Sequence, residues 1–252
     1  MNNRQLILEE QALRLPTVQG LPFFYHVHLN MPCNQRCIMC VPNGRHASDV
    51  MPLEQFQRLF QQIRPYVEHI TLIGGEPLLY PWIDEVLELL RTEPVAVSIN
   101  TNVTLLRPAT VDRLLSLHEL HLRASIDAAT RETYRRIRGS DSFERVVRHL
   151  EHFGDRAATR SHVFLVVNYV VMRENLVEVL PFLELARRWR PHRIEFHPVR
   201  HVREWHVSNN TGWTFDGQVQ SCEAFREEYN DVMRQAELQC AKEGQRCEVN
   251  YL

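Results

Sequence analysis

The sequence has almost no lysine and no apolar run long enough for a membrane span. Lys242 is the single lysine, and 29 basic against 31 acidic residues give a formal net charge of −2. This balance provides no overall field for nucleic acid or an anionic membrane surface. The longest apolar stretch, 163–172, falls far short of the roughly 20 residues that a membrane helix needs. With no apolar signal segment near the N-terminus either, we expect a cytoplasmic protein that binds neither membrane nor nucleic acid.

Cysteine is also scarce. Six cysteines in 252 residues are too few for a disulfide scaffold, and 44% hydrophobic with 24% charged residues is typical of a globular protein. Three of the six, Cys33, Cys37 and Cys40, nevertheless fall within eight positions. In a cytosolic protein such crowding indicates a metal site.

Short apolar segments alternate with amphipathic helical patterns along most of the chain. Six strands are predicted, over 23–30, 69–74, 95–100, 120–126, 163–172 and 193–199. Helices are predicted between them, over 53–63, 82–91, 109–118, 142–153 and 175–189. The alternation predicts a right-handed α/β wrap around a parallel sheet, with the active site at the carboxyl ends of the strands.

We divide the chain into a helical lead-in (1–21), a core domain (22–199) and a C-terminal part (200–252). The connection 200–216 contains two tryptophans, two histidines and two arginines. This composition favours a lid that contacts substrate, and the alternative is a loop that merely packs or is disordered. A helix is predicted from about Gln218 to Lys242, followed by a further short strand in the last six residues.

The cysteine triplet suits two kinds of metal centre. Three thiolates on one loop are soft donors that fit an iron–sulfur cluster or zinc. Together with His46 they could form a Cys₃His zinc site. The triplet by itself leaves both interpretations open.

The C-x₃-C-x₂-C spacing directly after the first strand resembles the radical SAM superfamily. This resemblance implies a partial (β/α)₆ TIM-like barrel with parallel strands. It also implies a [4Fe–4S] cluster on Cys33, Cys37 and Cys40, with one iron left open for S-adenosylmethionine (SAM). An open coordination position is typical of a catalytic metal centre. The implied activity is reductive cleavage of SAM to a 5′-deoxyadenosyl radical that abstracts hydrogen from a substrate.

Two more strand ends carry the resemblance. GGEP (74–77) is similar to the family motif that contacts the amino group of the methionine moiety, and two glycines let a ligand approach the backbone. SINTN (98–102) resembles the family's T-N-G segment, although Val103 replaces the glycine, so we expect a different turn there. The implied SAM-binding residues are Gly74, Gly75, Glu76 and Asn100.

The segment ASIDAATRETYRRIRG (124–139) resembles the subgroup of the molybdenum-cofactor cyclisation enzyme and the SPASM maturases. By this resemblance Ser125 and Asp127 lie near the ribose and methionine portions of SAM. Arg138 is then a candidate partner for the SAM carboxylate.

Strand five also matches the subgroup. The resemblance places Val167 or Asn168 near the adenine of SAM. Met39 occupies a position that is usually aromatic in the family, and we expect its backbone contact with the adenine to be retained.

Other polar residues have a simpler interpretation. His26, His28 and His197 could face the barrel interior, where ordinary polar histidines are favoured over a second metal site. A solvated helix face with ion pairs is favoured for the remaining charges, Arg131, Arg135, Arg136, Asp84, Glu85 and Glu88.

Three cysteines lie outside the triplet. If Cys222 and Cys240 belong to one helix, they stand roughly 27 Å apart and cannot ligate one cluster. Nothing around them resembles the cysteine-rich SPASM extension, so packing is favoured for both and for Cys247.

The sequence therefore predicts a radical SAM enzyme. The subgroup slightly favours a peptide substrate, and a sugar, nucleoside or other small metabolite is the alternative. A non-catalytic scaffold that binds zinc or an iron–sulfur cluster is the alternative of a different class. The resemblance further implies an electron donor such as flavodoxin or ferredoxin.

Overall fold

The computed structural model describes residues 3–40, 49–200, 206–208 and 214–252. In chain order its strands are β1 (Phe24–Asn30), β2 (His69–Gly74), β3 (Ala96–Thr101), β4 (Glu119–Ser125), β5 (Val163–Val171), β6 (Arg193–Pro198), β7 (His206–Ser208), β8 (Thr214–Asp216) and β9 (Cys247–Val249). Its α-helices are α1 (Asn3–Ala12), α2 (Leu53–Ile63), α3 (Ile83–Arg91), α4 (Pro108–Leu115), α5 (Arg131–Arg138), α6 (Phe143–Ala157), α7 (Val179–Arg187), α8 (Gly217–Gln220) and α9 (Arg226–Lys242). Short 3₁₀ helices cover Pro77–Leu79, Arg173–Glu178 and Cys222–Phe225.

The main sheet has seven strands in the order β1-β2-β3-β4-β5-β6-β9, and all neighbours are parallel. This confirms the predicted α/β class and its parallel strands. β9 adds a seventh strand beside β6. Within the connection predicted as a long loop, β7 and β8 form a separate antiparallel pair.

The two faces of the main sheet differ in polarity because side chains alternate along each strand. On β4, Leu120, Leu122 and Ala124 are fully buried in the apolar core shared with the helices. The intervening residues, including His121 and Arg123, lie on the opposite face and are partly exposed. We call this opposite side the polar face of the sheet.

At the amino ends of the strands, a row of rings covers the polar face. The centroid of Phe24 lies 4.6 Å from that of His69, and His69 lies 5.5 Å from His121. His121 stacks on Phe164 at 4.7 Å, and Phe164 contacts His192 at 5.2 Å. We call these five residues the aromatic row.

The helix predicted over 218–242 is interrupted, and that prediction is corrected here. Ser221 lies between α8 and a 3₁₀ turn, and its hydroxyl accepts a hydrogen bond from the amide of Glu223. Cys222 is held separately, because its amide donates to the Val199 carbonyl and its thiol to the Val171 carbonyl. The sequence predicted one helix containing both Cys222 and Cys240, but in the structure Cys222 lies in the 3₁₀ turn and Cys240 in α9.

Among the residues that the structure describes, no helix is both long and apolar enough to cross a membrane.

Candidate functional site

The chemically unusual residues follow the carboxyl ends of β1 to β4. Residues 31–40, which we call the cysteine loop, come after β1, and residues 75–77 come after β2. Asn102 follows β3, and Asp127 follows β4. Because the strands are parallel, these segments meet at one edge of the sheet, where ligands bind in open α/β folds.

The cysteine loop is fixed to the last turn of α5. The amides of Arg36 and Ile38 donate to the carbonyls of Arg138 and Ile137, at 3.1 and 2.8 Å. Gly139, with φ +60°, ends the helix, and a Cβ there would lie 2.8 Å from the Arg36 carbonyl oxygen. Glycine is therefore required both by the left-handed conformation and by the close approach of the loop.

The three thiols of the loop have different environments. Cys37 is buried, whereas Cys33 and Cys40 are exposed. A hydrogen bond with Cys40 lowers the pKa of Cys37 to about 7, aided by the positive charge of Arg138, while burial opposes it. The same hydrogen bond raises the pKa of Cys40, and partial desolvation of its thiol raises the pKa of Cys33. Cys37 is thus the thiol most readily converted to the thiolate that binds metal.

The donor set fits an iron–sulfur cluster. Three soft thiols come from one loop, and two of them are exposed. In the described part of the chain, no three Cys, His, Asp or Glu side chains converge to hold a single metal ion. His46, the fourth ligand of the zinc interpretation, lies outside the described residues.

Gly74 and Gly75 bring the end of β2 against the cysteine loop. A Cβ on Gly74 would lie 2.1 Å from the Asn30 carbonyl oxygen, and one on Gly75 2.1 Å from that of Met31. The amide of Gly75 donates to the Asn30 carbonyl at 2.8 Å. The absence of side chains is what allows this contact.

Glu76 is a buried carboxylate, 1% exposed, that joins the ends of β2 and β3. It accepts hydrogen bonds from the Thr101 hydroxyl and the Asn102 amide, both at 2.7 Å, and from the Leu78 amide at 3.1 Å. Burial raises its pKa, and these donors act in the opposite direction. The predicted SAM-binding carboxylate is therefore already bonded to three groups of the chain.

Asn102 extends this network to the cysteine loop. Its side-chain amide donates to the Asn34 side chain at 2.8 Å and lies 3.8 Å from the Cys33 sulfur. The next residue, Val103, is fully buried with φ +67°, the left-handed conformation that glycine adopts readily. Val103 therefore adopts a conformation that a branched residue takes only at a steric cost.

Asp127 and Arg138 form a buried ion pair. Arg138 Nη2 lies 2.5 Å from Asp127 Oδ2, and both side chains are almost fully buried. Asp127 has φ +64°, and its Oδ1 accepts the Val170 amide at 2.7 Å. Burial raises the pKa of Asp127, and Arg138 acts against this. Arg138 also lies against the cysteine loop, with Nη1 3.6 Å from the Cys37 sulfur.

The other predicted SAM-binding residues lie on the same carboxyl side of the sheet. Ser125 pairs in register with Asn168, and Asn100, which is exposed, pairs with Arg123. Val167 is fully buried in the main core. Met39 is half-buried against the small apolar cluster of Ile38, Ile137 and Met172.

Sequence reasoning missed a cluster of charges on the polar face. Glu195 accepts a short hydrogen bond from Arg123, lies 2.6 Å from Arg193, and lies 3.3 Å from His197. Burial alone would raise the pKa of Glu195, but His197 and the two arginines together lower it to about 2. The sequence did contain a signal for this cluster: the alternation in RIEFH puts Arg193, Glu195 and His197 on one face of β6.

The exposed charges match their simpler interpretation. Arg131 and Arg135 lie 3.8 and 3.6 Å from Asp141, and Arg136 pairs with Glu174 at 3.0 Å. Asp84 and Glu88 pair with arginines on the surface.

The remaining predicted cysteines and histidines lie outside the cysteine loop. The Cys240 thiol hydrogen-bonds that of Cys247, so these two cysteines are neighbours. His26 and His28 are exposed on β1. The predicted lid residues His201, Arg203, Trp205 and Trp213 lie outside the described residues.

A comparison with protein families matches residues 32–186 to the radical SAM superfamily. The mycofactocin maturase MftC of Mycobacterium tuberculosis is 26% identical over 163 residues, covering 64% of this chain and 41% of that protein. A probable GTP 3',8-cyclase of Saccharolobus islandicus is 29% identical over 180 residues, covering 69% of this chain and 56% of that protein. The chain thus spans about half the length of these curated relatives.

Solved structures show the same fold. Streptococcus suis SuiB bound to S-adenosylmethionine superposes with a TM-score of 0.75 at 14% identity, covering 98% of this chain and 54% of that one. SuiB bound to the precursor peptide SuiA gives a TM-score of 0.72 at 15% identity, covering 98% and 52%. The sheet is thus a TIM-like barrel, and its polar face is the barrel interior.

Proposed function

The chain belongs to the radical SAM superfamily, whose enzymes use a [4Fe–4S] cluster and SAM, and from this we propose a specific assignment of its residues. Cys33, Cys37 and Cys40 would ligate the cluster. The residues that would surround SAM are Met39, Gly74, Gly75, Glu76, Asn100, Ser125, Asp127, Arg138 and Val167. When bound, the two cofactors supply reductive cleavage of SAM to a 5′-deoxyadenosyl radical.

The observation that carries this assignment is the convergence of three buried or half-buried segments on the cysteine loop: Gly74–Glu76, Asn102 and the end of α5. Glu76 and Asn102 support its first half, where Asn102 contacts both Asn34 and Cys33. Arg138 and the end of α5 support its second half. The chain thereby fixes the position of the thiols before any ligand binds, which preorganises the site.

The structure adjusts the roles of two charged residues within the assignment. Glu76 bonds three donors of the chain and Arg138 pairs with Asp127, so neither charge is free in the protein alone. We assign to Glu76 the role of holding the Gly74–Glu76 backbone beside the ammonium of SAM. Its carboxylate would add a negative charge near that ammonium without a direct contact. Arg138 would share its guanidinium between Asp127 and the SAM carboxylate, which is a charge-assisted arrangement.

We propose a peptide as the substrate, bound inside the barrel. SuiB, which shares this fold, has been solved with a precursor peptide, and MftC is a maturase. Arg123, Asn168 and His197 lie together on the polar face, where the Asn168 side-chain oxygen is 3.2 Å from Arg123 and 3.3 Å from His197, and a peptide backbone would exchange hydrogen bonds with this polar group. The electron donor would be a small reductant such as flavodoxin or ferredoxin.

The assignment is tested by anaerobic reconstitution with iron and sulfide, followed by reduction and measurement of 5′-deoxyadenosine. The wild-type chain should bind four irons and cleave SAM, whereas Cys33→Ala should lose both properties. Cys247→Ser is the matched control, because it removes a half-buried thiol outside the cysteine loop and should retain both properties. Full iron retention in Cys33→Ala would contradict the ligand assignment.

Peptide and small-molecule substrates are distinguished by a second measurement. SAM cleavage should be faster with peptides encoded beside the gene than without them, and those peptides should show a change in mass. Acceleration by a nucleoside or sugar instead would reject the peptide proposal while leaving the SAM chemistry intact.

A further inference from the structure

Arg138 has all three of its guanidinium nitrogens engaged within the protein. Nη2 lies 2.5 Å from Asp127 Oδ2, and Nε donates to the Ile126 carbonyl at 3.4 Å. Nη1 is directed at the Cys37 sulfur, 3.6 Å away, a normal distance for an N–H···S hydrogen bond. The residue is only 6% exposed, so these contacts are made away from bulk water.

From this geometry we propose that Arg138 sets the reduction potential of the cluster by donating a charged hydrogen bond to its Cys37 ligand. The inference rests on the proposed ligation by Cys33, Cys37 and Cys40. One-electron reduction adds a negative charge to the cluster and its sulfurs. A cation hydrogen-bonded to one of those sulfurs stabilises the reduced form more than the oxidised form. Arg138 therefore raises the potential and makes the cluster easier to reduce.

Asp127 does not cancel this effect, because the ion pair has a direction. The carboxylate lies on the Nη2 side, and its other oxygen is held by the Val170 amide at 2.7 Å. The pair thus presents its positive end to the sulfur and its negative end to β5. In a buried site such an oriented dipole acts with little screening. Asp127 is a positioning residue in this scheme.

The other side of the loop provides a contrast. Cys33 has a neutral donor, the side-chain amide of Asn102, at 3.8 Å. The two thiols therefore face donors of different charge, a guanidinium and an amide. Loss of the guanidinium should change the potential more than loss of the amide.

The test is a potentiometric titration of the reconstituted full chain, followed by electron paramagnetic resonance in the absence of SAM. Without SAM, a change in potential cannot arise from a lost contact with the SAM carboxylate. In Arg138→Gln we expect the midpoint potential to fall by about 59 mV or more, a tenfold change in the reduction equilibrium. Asn102→Ala should give a smaller change, and Arg135→Gln, on the exposed face of α5, none.

Arg138→Gln leaves Asp127 buried without its partner, so two further variants protect the test. Asp127→Asn/Arg138→Gln removes both charges, leaves no unpaired buried carboxylate, and should retain the lowered midpoint potential. Arg138→Lys keeps the positive charge but has a single donor group, so its midpoint potential should lie between those of the wild type and Arg138→Gln. Wild-type potential in Arg138→Gln and in the double variant, each with four irons, would overturn the proposal. A wild-type chain that binds no cluster would instead reject the ligand assignment.

Discussion

The two ends of the barrel interior are filled by different chemistry. At the amino end, the aromatic row lines the polar face with rings from neighbouring strands, at centroid distances of 4.6 to 5.5 Å. At the carboxyl end, buried charges such as Glu76 and Asp127 connect loops that follow different strands. The histidines of the row bond groups on the same strand or on the strand beside it, whereas a buried carboxylate such as Glu76 needs donors from separate loops.

This difference predicts different consequences of substitution. A truncated ring leaves a local cavity, and its neighbours keep their partners. A truncated carboxylate leaves several buried donors unsatisfied on separate loops. The carboxyl end should therefore behave as one coupled unit, and the amino end as a set of independent contacts.

The largest effect is expected from Glu76→Ala. It leaves the Thr101 hydroxyl and the amides of Leu78 and Asn102 without their acceptor, and should lower the free energy of unfolding by about 3–5 kcal/mol. The response to SAM should be lost as well, because the Gly74–Glu76 backbone moves. Urea denaturation and SAM-induced spectral change measure the two effects. A variant of wild-type stability would show that the loops are held independently.

Phe164→Ala is the matching change at the amino end. The ring is partly buried between His121 and His192, so its loss should cost about 2 kcal/mol, less than for a fully buried phenylalanine. Iron content and the response to SAM should be unchanged. A loss of SAM binding in this variant would contradict the separation of the two ends.

Glu195 lies between the two ends and provides a pH test. Its folded pKa of about 2 is below its ordinary 4.5, so it stabilises the fold above pH 4.5, and this contribution is lost as the pH falls towards 2. After allowance for solvent screening of the arginines, we expect about 1.5 kcal/mol. Glu195→Gln should remove this part of the acid transition in denaturation curves measured between pH 2 and 6. An unchanged pH dependence would contradict the ion cluster.

The smallest effect concerns Val103. Val→Ala at two fully buried positions, 103 and 97, removes the same atoms, but only Val103 has a left-handed backbone that penalises a branched side chain. Val103→Ala should therefore cost about 0.5–1 kcal/mol less than Val97→Ala in denaturation experiments. Equal costs would indicate that the turn is not strained.

The sequence predicted the strands and their order well, because their apolar runs are short, separated and rich in branched residues. It also located the cysteine loop and the Gly74–Pro77 turn. It could not show that Glu76 and Arg138 are bonded within the chain, since their partners Asn102 and Asp127 come from other strand ends. The break at Ser221 was missed because the apolar period continues through it, while the bonds of Cys222 to Val171 and Val199 depend on tertiary contact.

The attachment of the cysteine loop to α5 has a consequence for biosynthesis. Cys37 and the guanidinium that contacts it are 101 residues apart in the chain. During synthesis the cysteines leave the ribosome long before residues 131–139, and such distant contacts form late because the intervening chain must first be ordered. A nascent chain would therefore present three unsupported thiols for much of translation. On the proposed ligation, we therefore expect the cluster to be inserted into the completed barrel rather than into the emerging loop.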